Sequence, residues 1–164
     1  MKRIGVVDTM FARIDMGAIV LGALAEQRGR PEDFDVRRRT VPGFKDLAVA
    51  ARRLIETEGC AVVLACGMPG GADLDRLCTH EASLGITMTQ VLTATPILEV
   101  FVHEEEAKGS DAKLLAICND RCSKHAINAL DMLFAPETLV ARAGKGVRQG
   151  EPDVGPLVLP ASVA

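Results

Sequence analysis

The sequence predicts an α/β fold: three layers, with a four-stranded parallel sheet held between helices. Three observations predict it. Four short apolar runs alternate with stretches whose apolar residues recur at helical spacing. The third run, CAVVLAC at 60–66, is apolar throughout, as a strand covered on both faces must be. The connections between runs are long enough to hold crossover helices, which parallel strands require and which are right-handed.

Each element can be justified in order. Ile4-Gly5-Val6-Val7 reads as a first strand. Met16, Ile19, Val20, Ala23 and Leu24 keep helical spacing, and Gly29 with Pro31 is expected to stop that helix. A second strand runs over about 35–41 and ends at Pro42-Gly43. Leu47, Ala50, Ala51, Leu54 and Ile55 form the next helical stripe, closed by Gly59. After CAVVLAC and a Gly-rich break comes a helix of about 74–92, with Leu77, Leu84, Met88 and Val91 on one stripe and Pro96 ending it. The fourth strand is 97–102. Leu115, Cys118, Cys122, Ala129 and Leu133 mark a long fourth helix over about 111–134, and Pro136 opens a short terminal one. The segment 144–156, rich in Gly, Pro and charge, reads as a loop or mobile tail. Together these elements make a flavodoxin-like sandwich, with one domain over 1–156 and a flexible C-terminal tail over 157–164.

Composition removes several function classes. The 164 residues suffice to bury a core, and 48% apolar against 25% charged residues exclude disorder. A net charge of −3 leaves no footprint for nucleic acid. Arg37-Arg38-Arg39 lies in the second strand, where alternation sends its members to opposite faces and guards an exposed edge. Met1-Lys2-Arg3 begins like a signal peptide, but Asp8 interrupts the apolar run, and nothing later approaches the roughly 18 residues of a membrane span. Five cysteines without a secretory signal imply reduced thiols in cytoplasm.

In an open parallel sheet the ligand site lies beyond the carboxyl ends of the strands. That rule selects the loops 9–15, 42–46, 67–73 and 103–108. They collect Phe11, Arg13, Phe44, Lys45, Asp46, several glycines, His103 and three glutamates, with His80 just beyond. With no Trp or Tyr, only a Phe can stack on a flat ligand. No phosphate cradle is present: Gly67-Met-Pro-Gly-Gly71 is neither G-x-G-x-x-G nor a P-loop. The third strand ends without the acidic residue a phospho-receiver needs. Cys118, Cys122 and His125 share one helical face and could meet a metal, but two small thiols on an apolar stripe read better as core. Asp73 and Asp75 read as acids at a helix N-terminus.

The motifs VDTMFAR at 7–13, RTVPGFKDL at 39–47, GMPG at 67–70, CTHEASLG at 78–85, EVFVHEEEAK at 99–108 and AGKGVRQG at 143–150 resemble the archaeal riboflavin synthases. That family is a paralogue of the lumazine synthases, whose V-P-G-x-[FY]-E-L-P loop resembles 41–48 here, with Asp46 in place of Glu and Ala48 in place of the final Pro. The resemblance implies a transferase that dismutates two molecules of 6,7-dimethyl-8-ribityllumazine into riboflavin and 5-amino-6-ribitylamino-2,4(1H,3H)-pyrimidinedione. It implies a homopentamer with sites between neighbouring subunits and no organic cofactor. The acidic loop would tolerate a divalent cation such as Mg²⁺, although the sequence does not call for one.

On that resemblance Phe11 stacks on a ring, with Thr9, Ala12 and Arg13 beside it. Pro42, Gly43, Phe44, Lys45 and Asp46 receive a ribityl chain, and Gly67, Met68 and Pro69 approach ring edges through backbone. Glu99, Phe101 and His103 come from the neighbouring subunit. His103 is the first candidate for proton transfer and His80 the second. The three glutamates 104–106 would repel a phosphate unless Arg76 or Lys108 offset them, which favours the dismutase over lumazine synthase. A lumazine- or flavin-binding protein without turnover is the remaining alternative.

Overall fold

The computed structural model describes residues 1–27 and 34–157. Four parallel strands, β1 (Lys2–Thr9), β2 (Phe34–Val41), β3 (Val62–Gly67) and β4 (Ile97–Phe101), form one sheet in the order β2-β1-β3-β4. The order reverses between β1 and β3, so the crevice at their carboxyl ends, marked by Thr9 and Gly67, is the switch point where such sheets bind ligands. Five helices accompany them: α1 (Met16–Glu26), α2 (Leu47–Glu56), α3 (Asp73–Thr93), α4 (Asp111–Phe134) and α5 (Pro136–Arg142). The alternation read from the sequence is therefore present, with boundaries displaced by a residue or two. The expected stop of α1 at Gly29 and Pro31 lies outside the described residues, as do 158–164 of the expected tail.

Strand alternation divides the core. Ile4, Val6, Val62, Leu64 and Cys66 point to one face, where Met16, Val20 and Leu24 of α1 and Cys118, Cys122 and Ala126 of α4 cover them. Val7, Val63 and Ala65 point to the other, against Leu47, Ala51 and Leu54 of α2 and Ala82 and Ile86 of α3. All six residues of β3 are buried, as CAVVLAC predicts. Cys118 and Cys122 are thus packing residues of α4. Burial pushes the Cys118 thiol up to about 12, and Cys66, a free thiol hydrogen-bonded with that of Cys122 and shut off from water, is also held protonated.

Local chemistry sets the ends. Gly59 takes a left-handed φ of 71° and its N–H donates to the Ile55 carbonyl, closing α2 where the sequence suggested. Ser110 caps α4 by accepting from the Lys113 N–H at 3.2 Å. Asp75 accepts from the Ala72 N–H, so the acids at the start of α3 serve its N-terminus.

Two expectations change on the structure. The Leu77, Leu84, Met88 and Val91 stripe of α3 faces solvent, together with Leu74 and Leu92, while Thr79, Ala82, Ile86 and Thr89 face the sheet. The buried threonines satisfy their hydroxyls by donating to carbonyls one turn back, Thr79 to Asp75 and Thr89 to Gly85. The 143–157 segment lacks helix and strand, yet it is fastened along α4: the Gly150 N–H donates to Asp120 at 2.6 Å and Lys124 to the Arg148 carbonyl at 2.8 Å. Among the described residues no helix is long and apolar enough to cross a membrane.

Candidate active site

The edge strand β2 builds the first wall. Its alternation turns Arg38 inward, where it pairs with the buried Asp8 carboxylate and, at 2.5 Å, with Asp15. Thr40 donates to Asp8 at 2.8 Å, and Asp15 caps α1 by accepting from the Ala18 N–H. Both ends of the 9–15 loop are thereby anchored, and Phe11 is held out at its tip, 52% exposed.

Phe11 stands 5.8 Å from Phe44, which stands 5.0 Å from Phe101 in an edge-to-face contact. Phe44 is only 6% exposed. It supports the row, and Phe11 is the most exposed of the three rings. Beneath Phe44 lies Gly67: a Cβ there would sit 2.5 Å from the ring. Gly67→Ala is accordingly expected to cost about 1–3 kcal/mol of overpacking, read as a lower urea midpoint. An unchanged midpoint would show that the ring has room to shift.

These residues enclose an apolar cavity of about 280 Å³ lined by Phe11, Gly43, Phe44, Lys45, Asp46, Pro69 and Cys78, among others. The Gly43 N–H donates to Asp46 at 3.1 Å, closing the 3₁₀ turn Phe44–Asp46, and Lys45 pairs with Glu81. Pro42 is exposed beside this cavity. Thr9 is buried with its hydroxyl oxygen lacking a partner among the described residues. Other expected contacts lie elsewhere. Met68 is buried in the core and Ala12 packs on it, so Met68 can meet a ligand only through backbone. Arg13 is bound to Asp111 at 2.8 Å in a separate crevice.

A second, polar cavity of about 520 Å³ opens on the other side of the α3 N-terminus. It gathers all three histidines, His80, His103 and His125, with Glu99, Phe101 and Arg121. Arg121 is a clamp: its guanidinium makes two bonds to Glu106, at 2.9 and 2.7 Å, and a third to the Phe101 carbonyl at 2.7 Å. Glu106 in turn accepts from the His103 N–H at 2.8 Å, so the clamp sets the His103 backbone. Arg121 holds the Glu106 carboxyl below its usual range. The acid run is therefore not simply solvated: Glu104, Glu105 and Glu106 pair with Arg13, Arg76 and Arg121 respectively. Ser83 donates to Glu99 at 2.6 Å.

A family model for 6,7-dimethyl-8-ribityllumazine synthase matches residues 1–137. The chain belongs to this family. Within it, the chain is similar to proteins named riboflavin synthase along nearly its whole length. The one from Methanothermobacter marburgensis is 51% identical over 158 residues, covering 96% of this chain and 100% of that one. The Methanothermobacter thermautotrophicus protein is 47% identical over 157 residues, at 96% and 100% coverage. The Aeropyrum pernix protein is 43% identical, at 95% and 98% coverage.

Five residues of the polar cavity were not singled out for it by the sequence: Thr79 and Ser83, which lie within the 78–85 motif, Gln149, which lies within the 143–150 motif, and Arg121 and His125. Arg121 and His125 lie on α4 one turn apart, and their spacing was the available signal, masked by its overlap with the Cys118–Cys122 core stripe. Burial, and then the nearby Arg121 charge, push the His125 imidazole down from its usual range, which favours the neutral form at pH 7. The Nδ1 atoms of His103 and His125 are both buried without a partner among the described residues.

Proposed function

We propose that the protein is a riboflavin synthase, dismutating two 6,7-dimethyl-8-ribityllumazine molecules into riboflavin and 5-amino-6-ribitylamino-2,4(1H,3H)-pyrimidinedione. The carrying observation is the charge balance of the histidine-lined cavity. Arg76 and Arg121 are each paired with a glutamate, so neither is an unopposed cation for a sugar phosphate. An uncharged substrate fits that wall, in agreement with the name the relatives carry.

In this reading the aromatic cavity seats one ring on Phe11, with its ribityl chain along Pro42, Gly43, Lys45 and Asp46. Glu99, Phe101 and His103 of an adjacent subunit close over it. Holding two flat rings in register lowers the entropic part of the barrier. One lumazine loses a proton from its C7 methyl group to an imidazole and attacks the other ring. The same imidazole returns protons as the four-carbon unit changes owner, so no organic cofactor takes part.

The exposed apolar stripe of α3 supports an assembly, which we take to be a pentamer. Six large apolar side chains on one helix exceed what a monomer leaves in water without cause. Leu84→Asp combined with Met88→Asp is expected to shift the protein to monomers in sedimentation velocity and to abolish turnover, because the site needs two walls. An unchanged sedimentation coefficient would place the interface elsewhere. We place the protein in the cytoplasm, where its thiols would stay reduced.

Purified protein with 6,7-dimethyl-8-ribityllumazine alone should yield riboflavin and the pyrimidinedione in equal amounts. Lumazine formation from the pyrimidinedione and a butanone phosphate, without dismutation, would assign lumazine synthase instead. Binding without either reaction would leave a carrier.

A further inference from the structure

The strap 143–157 reaches the polar cavity through one side chain. Gln149 is half-buried on its wall, and the bonds that fasten the strap fall on either side of it: Arg148 gives its carbonyl to Lys124 and Gly150 its N–H to Asp120. Gly150 has a φ of 82°, and a Cβ there would lie 2.5 Å from Arg121 Nη2. Glycine alone lets the strap lie directly on the guanidinium that sets His103. The register of Gln149 is thus tied to that of the catalytic wall.

No other side chain of this wall offers a donor and an acceptor side by side: Arg76 and Arg121 only donate, Glu99 only accepts, the Thr79 and Ser83 hydroxyls already donate to the Asp75 carbonyl and to Glu99, and each imidazole carries its two nitrogens on different sides of the ring. A pyrimidinedione presents C=O, N–H and C=O along one edge, which asks for a donor and an acceptor side by side. A carboxamide supplies that pair without a charge. The family model for lumazine synthase ends at residue 137, whereas the 158-residue match to the relative named riboflavin synthase necessarily continues past it. The strap lies within the stretch shared with that relative.

We infer that Gln149 is a substrate-reading residue, its carboxamide pairing with the dione edge of the ring seated in the histidine-lined cavity. The inference rests on the dismutase reading. Gln149→Leu in the full-length assembled protein is expected to raise KM for 6,7-dimethyl-8-ribityllumazine and Kd for riboflavin by roughly tenfold, the size of one or two lost hydrogen bonds to a polar ring edge. The melting temperature and kcat should stay near wild type. In ¹⁵N-labelled wild-type protein, the side-chain amide resonance that Gln149→Leu removes should shift on saturation with riboflavin. Unchanged KM and Kd in a folded variant, or an amide resonance unmoved by saturating riboflavin, would overturn the inference. If the variant does not fold, the wild-type resonance decides alone, assigned through Gln149→Glu. Wild-type protein that makes no riboflavin sinks the dismutase reading, and the amide shift on riboflavin binding still judges Gln149 separately.

Discussion

Gln in place of His103 should lower kcat for riboflavin formation by about a hundredfold or more while leaving riboflavin affinity within a few-fold. Glutamine keeps a hydrogen-bonding side chain of similar reach but cannot exchange a proton near neutral pH. In the proposed reaction His103 would act from a fixed position. The Arg121–Glu106 pair fixes the His103 backbone, and its Nδ1 is unspent within the described chain. His80 lies on the same cavity but is exposed on α3, so His80→Gln should have the smaller effect. Stopped-flow turnover of the two variants settles the order. Full activity in His103→Gln with loss in His80→Gln would transfer the proton-transfer role to His80.

Arg38→Leu should cost about 3–5 kcal/mol of stability, because it strands the Asp8 carboxylate in the sheet interior with Thr40 as its remaining donor. Urea unfolding gives the number directly. The double variant with Asp8→Asn should recover much of the loss, since a neutral amide no longer needs the guanidinium. The two single losses would then fail to add, as coupled neighbours do. A loss below about 1 kcal/mol would mean that water reaches Asp8 and the pair behaves as an ordinary surface bridge. Turnover offers a second readout: loosening the 9–15 loop frees Phe11, so lumazine affinity should weaken as well.

The sheet was readable because each strand carries its own signature, most clearly CAVVLAC, whose unbroken apolarity demands cover on two faces. The loops at the strand ends were readable for the same reason: once the strands are placed, their carboxyl ends are placed. The stripe of α3 shows where periodicity stops. Leu77, Leu84, Met88 and Val91 have the spacing of a core-facing helix, and a pattern of apolar residues does not distinguish burial against its own sheet from burial against another subunit. The true inward face, with Thr79 and Thr89, hides its polarity in bonds to the helix backbone. Arg121 escaped notice because its partners, Phe101 and Glu106, are 20 and 15 residues away and only the fold brings them together. Gln149 sits in a stretch whose Gly and Pro content reads as slack, although its backbone bonds to side chains of α4 tie it down.

Four of the five thiols are shut inside the core, while Cys78 alone is partly open and borders the aromatic cavity. The unmodified protein therefore carries a single attachment point for a maleimide dye, a few side chains from Phe11. Labelling kinetics followed with and without lumazine would report occupancy of the cavity optically, with no engineered cysteine and no turnover required.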